Sequence, residues 1–303
     1  MQLQRDQCLK RRLLFACLGS YDPADPIFKA KAAWTAGPDL VEDPDPAPGN
    51  LHIDAALVGR FEEGVVVAFR GTLPPIGGSG HTPEQIFFDW LNNFDFRATS
   101  DADYPGMVHE GFAGSLNRLW TPLQAAVNRH LAAAPVKRLL ITGHSKGGAM
   151  ANLAAWRLRG LPGIAAPVHV FTVAAARSGN EDWKAAYDAE PRILCTRYES
   201  ALDVVPWVPF GQDTPAWVRK LLGNSNVVLA SVDYVPVGTR IPATTSLWDN
   251  AQAILRAARF LAQPNKNVEQ YIEVLGLSHA IDSGSGYDRL ICEPGCAPAH
   301  HVV

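Results

Sequence analysis

The stretch Gly143-His144-Ser145-Lys146-Gly147-Gly148 constrains this chain more than any other. Before it runs Lys137-Arg138-Leu139-Leu140-Ile141-Thr142, short and apolar enough for a buried strand. After it, Ala149 to Leu158 is rich in strong helix formers. A strand must therefore turn into a helix within a few residues. Glycine at 143 and 147 permits this, because larger groups there would collide with the neighbouring strand and helix. The turn lifts the Ser145 hydroxyl into the open and aims the helix's N-terminal amides at whatever that hydroxyl attacks.

Strand, G-x-S-x-G turn and helix in that order form the nucleophile elbow of α/β hydrolases. The bare pentapeptide arises by chance in roughly one chain of this size in ten, so its flanks give it weight. The 303 residues, 47% hydrophobic, supply ample apolar material for a core and are compatible with one large α/β domain or two small ones; a single domain spanning 1–303 is expected. A net charge of −3 gives no reason to expect nucleic acid as a partner. No run of residues approaches the ~18 apolar residues of a transmembrane segment.

Lys10-Arg11-Arg12 followed by Leu13 to Leu18 has a faint signal-peptide character, but no small-residue cleavage site follows. The preferred reading is an amphipathic first helix ending near Gly19. It favours a cytoplasmic chain slightly and leaves secretion open. Of the five cysteines, Cys292 and Cys296 could close a small loop or stay as thiols, and their spacing does not suit zinc.

Residues 36–50 read as a Pro/Asp-rich surface loop. Residues 51–58 and 64–70 read as a hairpin whose second, wholly apolar strand is central. A strand is expected at Phe94–Arg97. From Gly111 to Ala134, apolar Phe112, Leu116, Leu119, Trp120, Leu123, Val127 and Leu131 fall at helical spacing, with Pro122 expected to kink or restart the helix. Val168–Val173, Arg192–Tyr198 and Val227–Val237 read as β segments, and Leu247 to Leu261 stripe a further helix. This alternation predicts an α/β class fold with a mostly parallel central sheet and helices on both faces.

A serine hydroxyl needs a histidine to take its proton and a carboxylate to orient that histidine. In this fold the order is Ser, then acid, then His. His52, His81, His109, His130, His144 and His169 come too early for that order, and His300 and His301 lie in the last four residues. His279 is the best candidate. Asp203, just past strand 192–198, is the acid candidate, with Glu199, Asp213 and Asp233 as weaker rivals. The oxyanion hole needs two donors. The amide of Lys146 is one, and Thr72, in Phe69-Arg70-Gly71-Thr72, could supply amide and hydroxyl as the other.

These blocks resemble the class 3 (fungal-type) lipase family of α/β hydrolases. Val65 to Thr72 looks like its oxyanion strand, and Asp89-Trp90-Leu91 and Val108 to Phe112 like its next two signatures. Gly143 to Gly148 resembles its elbow, Phe171 to Asn180 its following strand and turn, and Asp203-Val204-Val205-Pro206 its acid motif, while His279 falls where its histidine would. The resemblance implies carboxylic ester hydrolysis through a Ser-His-Asp triad and an acyl-enzyme, on a small-molecule lipid or acyl ester. It also implies transient contact with a lipid interface, a lid, and no cofactor or metal. Loop 73–86 lies where the family's lid hinges. Helix 247–262 is read either as a cap over the acyl pocket or as a helix packed on the sheet.

The family usually carries leucine after the nucleophile, and here the residue is Lys146. A cation in the first helical turn opposes the macrodipole by ~0.3–1 kcal/mol. Either the side chain reaches away to water or an acid, which is preferred, or the substrate is anionic. The alternatives kept are a phospholipase A1, a thioesterase or acyltransferase with the same triad, and a catalytically silent binding module of the same fold.

Overall fold

A computed structural model describes residues 2–45, 53–72, 96–164, 167–200, 203–216, 218, 232–243, 287 and 291. In chain order it contains helices α1 (Gln2–Tyr21) and α2 (Pro26–Ala32), then strands β1 (Ala36–Glu42), β2 (Ala55–Phe61), β3 (Gly64–Phe69), β4 (Ala98–Ser100) and β5 (Met107–His109). Helix α3 (Glu110–Ala133), β6 (Leu139–His144), α4 (Lys146–Leu158), β7 (Val168–Val173), β8 (Gly179–Asn180) and α5 (Glu181–Ala189) follow. β9 (Ile193–Glu199), β10 (Tyr234–Val235) and β11 (Thr239–Pro242) complete the described strands.

The main sheet has the order β1-β2-β3-β6-β7-β9-β11. Its first two pairings are antiparallel and the remaining four parallel. The apolar strand β3 and the mostly apolar β6 lie inside it and are buried along their whole length. The two-residue side-chain period sorts them between faces. Val65, Val67, Phe69, Leu139 and Ile141 join the core under α3 and α4, while Val66, Ala68 and Leu140 join the core under α1. Both faces are therefore covered, as expected. A small antiparallel sheet, β10-β8-β5-β4, stands beside the main one.

Helix α3 presents Phe112, Leu116, Leu119, Leu123, Val127 and Leu131 to the core. The His109 ring caps it, accepting from the Phe112 N–H at 3.2 Å. Trp120, expected inward, is only partly buried and lies beneath the Arg157 guanidinium at 3.6 Å. The helix continues through Pro122 instead of restarting. Helix α1 runs two residues past Gly19 and buries Leu13 to Leu18 on the sheet. No described helix is long and apolar enough to cross a membrane.

Some boundaries differ from the sequence reading. Residues 36–42 form an edge strand, not loop, with a register irregularity between Ala36 and Asp39. Pro38 is tolerated there because an edge strand need not donate every N–H. β2 starts at Ala55, not at residue 51, and no strand covers Phe96-Arg97; the nearest begins at Ala98. The lid loop 73–86, the helix 247–262, His279, Cys292 and Cys296 lie outside the described residues.

Candidate active site

Ser145 stands between β6 and α4 with φ 59° and ψ −128°, a conformation that L-residues rarely adopt. Holding it costs about 1–3 kcal/mol, which the surroundings must over-determine. They do so with three backbone bonds: Ser145 N–H donates to Val173 O at 3.1 Å, and its carbonyl accepts from Gly148 at 2.9 Å and Ala176 at 3.3 Å. A Cβ on Gly143 would lie 2.1 Å from Gly147 O, and one on Gly147 would lie 2.5 Å from Phe69 O and 2.8 Å from Arg70 O. The glycines are thus required by close backbone approach. The same approach puts the end of β3 directly against the elbow.

Thr72 follows that contact by two residues. Its hydroxyl oxygen is buried and has no hydrogen-bond partner among the described residues. Lys146 opens α4, so its amide belongs to the helix's uncapped first turn. Its side chain turns to an acid: Nζ donates to Asp54 Oδ1 at 2.5 Å. The preferred reading of that lysine holds.

Asp203 lies beyond the carboxyl end of β9, fully buried. Its Oδ1 accepts from the Val205 N–H at 2.9 Å and its Oδ2 from the Tyr287 hydroxyl at 2.8 Å. Tyr287 also accepts from the Ser200 N–H at 2.8 Å. Burial, then the neighbouring Asp203 charge, pushes the Tyr287 hydroxyl well above the ordinary phenol range, so it remains a donor. The three rival acids are engaged elsewhere. Glu199 pairs with Arg197 at 2.8 Å and Arg240 at 2.7 Å. Asp213 pairs with buried Arg177 at 2.7 Å, and Asp233 accepts from the Gln212 N–H at 2.6 Å. His144, adjacent to the serine, is bound to the Tyr21 hydroxyl at 2.9 Å.

Ser145 follows β6 and Asp203 follows β9, with only β7 between those strands, so both leave the sheet at its carboxyl edge. Among the described residues, no three His, Cys, Asp or Glu side chains gather as metal ligands. Sequence reasoning missed Tyr287 and Asp54. Asp54 had one signal, a lone acid opening an apolar run; Tyr287 had none.

Residues 66–212 match the family described as Lipase (class 3). That segment, just under half of the chain, is what resembles the class 3 lipases. The chain's relatives include a lipase of Rhizopus niveus, 30% identical over 195 residues, which span 61% of this chain and 46% of that one. They also include phospholipase A1-II 3 of Oryza sativa subsp. indica, 27% identical over 231 residues, spanning 67% of this chain and 50% of that one. The chain thus spans about half the length of these curated relatives. The crystal structure of lipase II from Rhizopus niveus superposes with a TM-score of 0.60 at 19% identity, covering 94% of this chain and 97% of that one. The chain therefore has the α/β-hydrolase fold.

Proposed function

We propose that the chain is a serine carboxylic ester hydrolase acting on lipid or acyl esters. The observation that supports this most is the strained elbow at Ser145, pressed against Phe69 and Arg70 within the segment that matches the class 3 lipases. His279 takes the Ser145 proton as the hydroxyl oxygen attacks the ester carbonyl. The Lys146 amide and Thr72, through its amide and its unpartnered hydroxyl, hold the oxyanion that forms. Asp203 steadies the imidazolium, with Tyr287 and the Val205 amide fixing the carboxylate. The imidazolium returns its proton to the departing alcohol, leaving an acyl-enzyme. Water, activated by the same imidazole, then releases the carboxylic acid and restores Ser145.

Loop 73–86 serves as the lid of a single domain in this reading, and contact with a lipid interface opens it. Whether helix 247–262 caps the acyl pocket or packs on the sheet is decided by deleting it and comparing chain-length preference. The rice relative's name favours phospholipid as a second substrate class. A panel of triacylglycerol, phosphatidylcholine and p-nitrophenyl esters, soluble and emulsified, separates the two.

A fluorophosphonate probe should label wild type and not Ser145→Ala, and the variant should lose ester turnover. Turnover that survives in Ser145→Ala would overturn the assignment. Thr72→Val should lower kcat about 10²-fold with little change in KM.

A further inference from the structure

The lysine after Ser145 is not turned to water. Only 14% of its side chain is exposed, and its ammonium donates to Asp54, whose side chain is 7% exposed. Asp54 directly precedes β2, and its second oxygen accepts from Arg118 of α3 at 2.6 Å. Arg118 also faces Asp43 at 3.5 Å. Two cations and two carboxylates close a neutral cluster that ties α3 and the start of β2 to the first turn of α4. Arg70 also lies within electrostatic reach of Asp54 and is itself countered by Glu42 at 3.9 Å. Burial alone would raise the Asp54 carboxyl, but Lys146, Arg118 and Ser115 outweigh it and hold it below the ordinary aspartate range.

Buried ion pairs are poor stabilisers, since two well-packed apolar groups are often as good or better. An ion pair one residue from the nucleophile therefore calls for a role other than stability. Residue 146 is also the proposed oxyanion donor, so its side chain leaves the backbone at the reacting centre.

We propose that Asp54 is a positioning and specificity-determining residue: it neutralises Lys146 and holds its ammonium off the acyl site, so that the site takes uncharged acyl groups. This rests on the ester-hydrolase reading above. Losing the carboxylate leaves one unit of positive charge beside the site, and losing the ammonium leaves one unit of negative charge. The two errors have opposite signs, and removing both restores neutrality.

The test compares kcat/KM for p-nitrophenyl hexanoate with that for mono-p-nitrophenyl adipate, the same acyl chain ending in a carboxylate. Asp54→Asn should raise the adipate-to-hexanoate ratio at least about fivefold, the effect of a unit charge about 8 Å away at an effective dielectric of about 40. Lys146→Leu, which keeps the Asp54–Arg118 pair, should lower the ratio. The double variant should return to within about twofold of wild type. A purely structural role would lower both rates and leave the ratio unmoved. Ratios unmoved in both single variants, or shifted in the same direction, would overturn the proposal. Should Asp54→Asn fail to fold, Lys146→Leu decides alone: an unchanged or raised ratio overturns it. Failure of wild type to cleave either ester would overturn the hydrolase reading and this inference with it, whereas turnover with an unmoved ratio overturns this inference only.

Discussion

Replacing Tyr287 by Phe removes one oxygen and two hydrogen bonds. That oxygen donates to Asp203 at 2.8 Å and accepts from the Ser200 N–H at 2.8 Å, and all three residues are buried. A hydrogen bond to a charged group contributes about 1.5–3 kcal/mol and a neutral one about 0.5–1.5 kcal/mol. Phenylalanine fills the same volume, so no cavity adds to the loss. The expected destabilisation is about 2–4 kcal/mol. Unfolding entropy of about 2.1 cal/mol/K per residue, over 303 residues, gives about 0.6 kcal/mol per degree. Scanning calorimetry at neutral pH should therefore find Tm lower by about 3–6 °C. Ester turnover should fall mainly in kcat, because Asp203 loses a donor that fixes it. A Tm within about 1 °C of wild type would refute the reasoning, since two buried polar groups cannot lose a shared partner at no cost.

Gly147→Ala places a methyl 2.5 Å from Phe69 O, so the elbow must retreat by about 0.9 Å to reach the 3.4 Å of ordinary contact. A displacement of that size predicts about 10²-fold lower kcat in a folded protein, read by circular dichroism and ester turnover together. Ser145→Gly relieves about 1–3 kcal/mol of backbone strain, less about 0.5–1 kcal/mol of glycine entropy. Its Tm should rise by up to about 4 °C while turnover is lost, and a lower Tm would count against strain at the elbow. For Asp54, the folded carboxyl lies below its ordinary value of 3.8, so its ion pairs contribute fully above that pH and are lost as pH falls through the folded value. The Tm difference between wild type and Asp54→Asn should be largest near neutrality and shrink below about pH 4, as thermal scans across pH would show.

The elbow was legible because its chemistry is local: the two glycines and the helix formers lie within one short stretch. Strands β3, β6 and β7 were legible because their place inside the sheet makes them mostly apolar. The outer strands were not. β1 carries Gly37 and Pro38, which read as turn residues until an antiparallel neighbour is supplied by β2. β11 is four exposed residues with no alternation, and only its parallel pairing with β9 makes it a strand. At the site, Asp203 could be found by its place after a strand. Tyr287 is joined to it across 84 positions of chain and Asp54 to Lys146 across 92, and no local pattern marks either contact.

Both outermost strands of the described sheet contain a proline, Pro38 in β1 and Pro242 in β11. β11 adds the cation Arg240, engaged with Glu199 at 2.7 Å. A rim interrupted by a residue without an N–H and bearing charge is a bad template for another copy's backbone. Molecules concentrated side by side, as on an oil droplet, would then resist zipping together into aggregates through their sheets.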